Sequence, residues 1–151
     1  MLLLLLACAA APDDAAVDTA PTVGALSVRF DIDPNQAAVM DEPPVGTVYC
    51  GIYEGDDIEG TGPVEGAEQP YPNFSVALDL TAGPSGFVHD YPELDPGWWG
   101  VLCFMDSDGN VIPESTGPDD GDPVTLPYEN IFEVVAGQET EATVVFGILN
   151  P

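Results

Sequence analysis

Apolar and polar residues alternate along the segment that begins at Ala25, and this two-residue period constrains the fold more than any other feature. The apolar positions are Leu26, Val28, Phe30 and Ile32, with polar residues between them. Successive side chains of a β-strand point to opposite faces, so this pattern predicts a strand with one buried face.

Six further segments have the length and composition of strands: 45–54, 74–80, 85–91, 97–105, 130–136 and 140–149. The chain also contains 16 Gly and 16 Pro, which favours short strands joined by turns over long helices. A Gly/Glu/Pro-rich loop at 55–72 separates the second strand from the third, and Gly137-Gln138 predicts a hairpin turn between the last two. We therefore predict an all-β fold, a seven-stranded antiparallel Greek-key β-sandwich of the prealbumin-like or immunoglobulin-like type, over residues 24–151.

The charge of the chain is strongly negative, since 27 Asp and Glu stand against one Arg and no Lys, giving a formal charge of −26. Nucleic acid is excluded as a partner, because binding a phosphate backbone requires clustered cations. Two interpretations of the acidic residues stay open. They form a solvated surface suited to solubility or high salt, or some of them line loops that bind divalent cations.

The N-terminal residues carry the most specific local motif. Leu2 to Leu6 are apolar, and Leu5-Leu6-Ala7-Cys8 resembles the lipobox of bacterial lipoproteins. The resemblance implies that residues 1–7 are a signal peptide and that Cys8 carries the lipid. Residues 8–23 then form the lipidated Cys and a flexible tether. We expect the protein in the cell envelope, lipid-anchored to the outer membrane or cell surface; a plain signal peptide is the alternative.

With Cys8 assigned to the lipid, Cys50 and Cys103 remain as an even pair in an exported protein. This arithmetic predicts a disulfide between them. Closing a loop of this length would stabilise the fold by roughly 4 kcal/mol in the loop-entropy description. The alternative is two buried free thiols.

The segment Leu94-Asp95-Pro96-Gly97-Trp98-Trp99 precedes an apolar strand. It resembles the start of a central strand in transthyretin-like and carboxypeptidase-regulatory-like sandwiches. The resemblance implies a non-catalytic structural or binding module. It also implies that the second and fifth strands are neighbours, so a Cys50–Cys103 bond would join adjacent strands. An antibody-like arrangement would instead place the bond across the core.

Alternating oxygen-bearing side chains in Asp106-Ser107-Asp108-Gly109-Asn110 resemble the first half of a calcium-binding loop. Ca²⁺ is therefore the one candidate cofactor. The predicted ligands are Asp106, Asp108, Asn110, Asp119, Asp120 and Asp122, with Glu114 as a further candidate. The alternative is that Asp-Gly-Asn makes a turn without a metal.

Trp98 and Trp99 point to opposite faces of the predicted strand, so one can pack in the core while the other stacks on a sugar. No catalytic residue is predicted, because His89 is the single imidazole and lacks a nucleophile motif nearby. The sequence predicts a non-catalytic surface lipoprotein with a structural, adhesive or assembly role, with calcium as a candidate stabilising ion. The alternative is a carbohydrate-binding module, and the partner is a surface protein or a glycan.

Overall fold

The alternating segment after Val23 folds as a strand, and strands dominate the computed structural model, which describes residues 20–112 and 117–151. The prediction of an all-β fold is confirmed. The described residues form β1 (Gly24–Ile32), β2 (Val45–Glu54), β3 (Ile58–Glu59), β4 (Gly62–Pro63), β5 (Phe74–Asp79), β6 (His89–Leu94), β7 (Gly97–Asp106), β8 (Pro123–Thr125), β9 (Ile131–Val134) and β10 (Glu139–Leu149). A short α-helix, α1 (Pro34–Ala37), follows β1, and two 3-10 helices span Gly55–Asp57 and Pro127–Glu129.

Eight of these strands join one mixed sheet. Its order is β5-β2-β7-β8-β10-β1-β6, with β9 also paired to β7, while β3 and β4 form a separate two-stranded hairpin. β1 runs parallel to β10 from Ala25↔Glu139 to Ile32↔Phe146. This pairing corrects the prediction of a purely antiparallel sheet. Alternation along β1 indicates a strand and its buried face, but the direction of the partner depends on the path of the whole chain.

The sheet curls until its two edge strands, β5 and β6, approach each other. The His89 imidazole on β6 stacks on the Phe74 ring of β5 with centroids 3.7 Å apart, and Phe30 meets Phe74 edge to face at 6.3 Å. The core between the two halves holds aliphatic and aromatic side chains that are almost fully buried: Leu26, Val28, Phe30, Val48, Ile52, Tyr91, Val101, Met105, Val144 and Phe146. Burial of such side chains is the main driving force for this fold.

The turn between β9 and β10 reverses the chain without forming a hairpin. Gly137 has a φ of 72° and supplies the left-handed conformation of this turn. β9 then pairs with β7, whereas β10 pairs with β1 and β8. The hairpin prediction is wrong, because turn residues indicate a reversal of direction but not which strand the chain pairs with afterwards.

Candidate functional site

A disulfide joins Cys50 and Cys103, which lie directly opposite each other on β2 and β7. Their Cα atoms are 4.2 Å apart. The bond therefore connects adjacent strands and does not cross the core. The same register places Glu54, four residues after Cys50, opposite Trp99, four residues before Cys103.

Two buried carboxylates, Asp106 and Asp122, lie at the two ends of the predicted calcium loop, and their oxygens accept backbone hydrogen bonds. The Oδ1 atom of Asp106 accepts from the amides of Gly109 at 2.7 Å and Asn110 at 3.1 Å. The two oxygens of Asp122 accept from Ser107 and from the Asp119 amide. Burial, assisted by the nearby carboxylates, raises the pKa of Asp122 despite these hydrogen bonds. Both carboxylates thus stabilise the loop by accepting hydrogen bonds from its own backbone amides.

The exposed part of this loop brings together three of the predicted ligands. The side-chain amide of Asn110 donates to Asp108 at 2.8 Å and also to Asp119, so it bridges two carboxylates. Asp120 is exposed beside them. Within residues 20–112 and 117–151, no three His, Cys, Asp or Glu side chains converge in an arrangement suited to a metal ion. Glu114 lies outside the described residues.

The two tryptophans occupy opposite faces of β7. Trp99 is 5% exposed and packs in the core, while its indole N–H donates to the carbonyl of Asp95 at 2.8 Å. This hydrogen bond closes the Pro-Gly turn that precedes the strand. A buried indole needs such a partner. Trp99 is therefore a structural residue that fixes the turn carrying Trp98.

Trp98 is 59% exposed and lies in a cleft of about 230 Å³. We call this the Trp98 cleft; its lining residues are Glu54, Gly55, Asp56, Asp95, Pro96, Gly97, Trp98 and Trp99. The backbone at Gly55 passes close to the Trp98 backbone and Cβ, since a Cβ on Gly55 would lie 3.1 Å from the Trp98 Cβ. The cleft thus combines one exposed aromatic face with three carboxylates.

This combination has a definite chemical use. An exposed indole offers an apolar face on which a sugar ring can stack, and each ionised carboxylate accepts hydrogen bonds from hydroxyl groups. The single Arg29 lies on β1, with its guanidinium 3.9 Å from Glu141, and is not among the lining residues. The cleft therefore suits a ligand that donates hydrogen bonds and carries no negative charge.

The sequence predicted a stacking role for one of Trp98 and Trp99 without deciding which, and it did not include Glu54 and Asp56 among the site residues. These two come from the end of β2 and the turn of residues 55–57 that follows it. A signal for them was present. If Cys50 lies opposite Cys103 in antiparallel strands, the same register puts Glu54 opposite Trp99 and brings the next residues beside the Trp pair.

His89 lies between aromatic rings at the seam of the sheet. It stacks on Phe74 and meets Tyr91 edge to face at 4.7 Å. Burial lowers the pKa of His89, and the nearby Asp90 carboxylate opposes that effect only in part. These contacts give His89 a packing role.

Cys8, the predicted signal peptide 1–7 and most of the predicted tether 8–23 lie outside the described residues, which begin at residue 20. In the part of the chain that the structure covers, no helix has the length and apolar character needed to cross a membrane. Comparisons with protein-family models, with curated proteins and with solved structures gave no match.

Proposed function

We propose that this protein is a non-catalytic, lipid-anchored surface protein of the bacterial cell envelope whose β-domain binds glycans at the Trp98 cleft. One observation carries the proposal: Trp98 presents its indole to solvent beside Glu54, Asp56 and Asp95. A sugar ring stacked on this indole would remove apolar surface of both partners from water, which favours binding. A glycan-binding site on a tethered domain gives the adhesive role expected from the sequence.

The charge of the chain narrows the glycan class. With a formal charge of −26, the surface repels sulfated, phosphorylated and uronic-acid polysaccharides. Carboxylates in the cleft accept hydrogen bonds and donate none while they are ionised. The expected ligands are neutral oligosaccharides whose hydroxyl groups donate to Glu54 and Asp95.

Export and anchoring belong to the same proposal. The Cys50–Cys103 disulfide supports them, because such bonds persist in oxidising compartments. Cys8 is the proposed lipid attachment site, and residues 8–23 are the proposed tether to the outer membrane or cell surface. We also propose that the domain is a sandwich related to transthyretin-like domains. The two facing halves of the curled sheet support this relationship.

Calcium is proposed as a stabilising ion rather than as part of the glycan site. The Asn110 amide bridges the exposed carboxylates of Asp108 and Asp119, where a divalent cation would also lie. Turning that amide over would present its oxygen to the ion as a third ligand, and Ca²⁺ prefers oxygen ligands of this kind.

Titration with neutral oligosaccharides tests the glycan proposal. Stacking a sugar on Trp98 would protect it from acrylamide quenching and shift its fluorescence to shorter wavelength, whereas the buried Trp99 would stay unchanged. Trp98→Ala should abolish binding measured by calorimetry. Tyr128→Ala is the matched control, since Tyr128 is an exposed aromatic residue (71%) away from the cleft. Equal binding by both variants, or no binding across a glycan array, would refute the glycan proposal.

Labelling cells with an alkyne fatty acid tests the anchor. The full chain should incorporate the label and partition into the membrane fraction. Cys8→Ser should lose the label while the β-domain retains its melting temperature. Label retained by the Cys8→Ser variant would contradict the assignment of Cys8.

A further inference from the structure

The outer face of β2 and β7 carries a second and larger concavity. On this face the rings of Tyr49 and Phe104 stack with centroids 5.0 Å apart and an angle of 15° between their planes. Together with Leu102 and Val124 they form the floor of a groove of about 860 Å³. This volume falls within the range of about 300 to 1,000 Å³ that is usual for ligand sites.

One wall of the groove comes from the loop after β2. The β3–β4 hairpin contributes Gly62 and Pro63. Further along the loop, the Gln69 side-chain amide donates to Asn73 at 2.7 Å, and the pair lies against the Cα of Gly51. A Cβ at residue 51 would therefore push these two side-chain amides aside, so glycine there lets them lie close to β2.

The opposite wall comes from three later segments. Pro118 precedes β8, Pro127 follows it, and the end of β10 contributes Ile148, which is 41% exposed. The side-chain amide of Asn150 donates to the carbonyl of Asp119 at 2.9 Å and fastens the end of the chain to the first of these segments. Both walls are thus held by hydrogen bonds or strand pairing.

The groove differs in charge from the rest of the molecule. Among the described residues, those that line it include no Asp, Glu, Lys, Arg or His, in a chain with 27 acidic residues. Exposed carboxylates instead lie within two residues, in sequence, of lining residues on both walls: Glu59 and Glu65 on one, and Asp119, Asp120 and Glu129 on the other. We call this feature the neutral groove; it has an uncharged, largely apolar floor between two acidic rims.

We propose that the neutral groove binds an extended cationic peptide segment with alternating apolar and basic side chains. The apolar side chains would lie on Tyr49, Leu102 and Phe104, where burial removes apolar area from water. Lys or Arg side chains would reach the acidic rims. Charge complementarity selects this occupant, because the −26 field attracts cationic segments and repels acidic ones.

This site is separate from the proposed glycan site. Trp98 is not among the residues that line the neutral groove, and Tyr49 and Phe104 are not among those of the Trp98 cleft. Peptide binding is therefore expected to survive the loss of glycan binding, and the two proposals can fail independently.

A fluorescein-labelled decapeptide of alternating Lys and Leu is the probe, titrated into the full chain and followed by fluorescence anisotropy. Ile148→Asp places a charge in the groove and should weaken binding at least tenfold. Val45→Asp is the matched control, since Val45 is 40% exposed on β2 outside the groove. Both variants add the same charge, so a purely electrostatic association would be strengthened equally in each.

Further binding measurements distinguish the peptide proposal from other kinds of association. The proposal expects weaker binding at higher salt, no binding by a Glu-Leu peptide, at least tenfold weaker binding by a Lys-Ser peptide, and unchanged affinity in Trp98→Ala. Equal affinities of the Ile148→Asp and Val45→Asp variants would overturn it, as would full binding by the Lys-Ser peptide. Displacement of the peptide by a neutral oligosaccharide in the Trp98→Ala variant would also overturn it, because the groove would then be a second glycan site.

Discussion

Removing the Cys50–Cys103 disulfide should cost about 4 kcal/mol of unfolding free energy. The two cysteines are 53 residues apart in sequence, and the loop-entropy relation for a loop of this length gives about −14 cal/mol/K. That entropy corresponds to about 4 kcal/mol near 25 °C. Typical domains are stable by about 5 to 15 kcal/mol, so the bond supplies a large share of the total.

The cost arises mainly in the unfolded chain. In the folded state, β2 and β7 are paired through eight residue pairs from Thr47↔Asp106 to Glu54↔Trp99, and we expect this pairing to persist when the bond is removed. The cysteines themselves are 3% and 6% exposed, so replacing them with Ala adds a cavity cost of about 1 kcal/mol. Reducing the wild-type protein removes the bond without creating that cavity.

Urea unfolding followed by tryptophan fluorescence measures both effects. We expect a loss of about 4 kcal/mol for the reduced wild type and about 5 kcal/mol for the Cys50→Ala/Cys103→Ala variant. The melting temperature of the reduced wild type should fall by about 15 °C, because each kcal/mol of lost stability lowers it by about 4 °C. A loss below about 1.5 kcal/mol in the reduced protein, with an unchanged slope against urea, would refute the loop-entropy reasoning.

Four shorter predictions concern single side chains. Tyr91→Phe should stabilise the fold by about 1 kcal/mol in urea unfolding, because the buried Tyr91 hydroxyl has no hydrogen-bond partner among the described residues; a loss of stability would contradict this. Asn130→Ala should cost about 3 kcal/mol in the same assay, since the fully buried side chain makes three hydrogen bonds to backbone, and a cost below about 1 kcal/mol would count against it. Burial lowers the folded-state pKa of His89 below its ordinary value of about 6.5. The contribution of the neutral imidazole to folding stability is therefore fully present above that pH and is lost as the pH falls through the folded pKa. The wild type should therefore lose stability relative to His89→Gln on acidification, and parallel pH curves would contradict the assignment. Calcium at about 1 mM should raise the melting temperature of the wild type. The melting temperature of Asp119→Asn should stay the same, because that variant lacks one of the two carboxylates bridged by Asn110. Calorimetry that detects no heat of calcium binding to the wild type would remove calcium from the proposal.

The long strands could be predicted closely from the sequence. β1, β2, β7 and β10 begin and end within one residue of the predicted bounds, because each is nine residues or longer and carries a clear apolar pattern. β8 was not predicted; it lies between the fifth and sixth predicted strands. It has only three residues and begins with Pro, so it shows no period. It is held by tertiary contacts such as the Thr125 hydroxyl, which accepts from the Cys103 amide at 2.9 Å.

The fourth predicted strand begins four residues later than expected, and the reason is a side-chain contact. Ser85 donates its backbone N–H to the Phe30 carbonyl, and its hydroxyl accepts from the Phe30 amide and donates to the Phe87 carbonyl. These bonds hold the segment in an irregular conformation until β6 begins at His89. A serine that hydrogen-bonds to backbone competes with regular strand pairing, and local patterns do not show which partner it finds.

The candidate sites depend on contacts that are distant in sequence, which limited their prediction. Residue types predicted a stacking tryptophan and calcium ligands in the Asp106 to Asp122 loop, and both stay predictions. The carboxylates at Glu54 and Asp56 required the register of β2 against β7. The neutral groove required in addition the fold of the loop after β2, whose composition of Gly, Glu and Pro shows no periodic signal.

That loop determines how the outer face of β7 is divided. Trp98, Gly100, Leu102 and Phe104 follow one another on this face, because alternate residues of a strand share a side. The δ-methyl of Ile58 occupies the space that a Cβ on Gly100 would need, so the loop crosses the strand at that glycine. Trp98 lies on one side of the crossing, with carboxylates around it, and Leu102 lies on the other, on an uncharged floor. A single crossing therefore divides this face of the strand into two concavities of different electrostatic character. The first is the one proposed for glycans, and the second is the one proposed for a cationic peptide with apolar side chains.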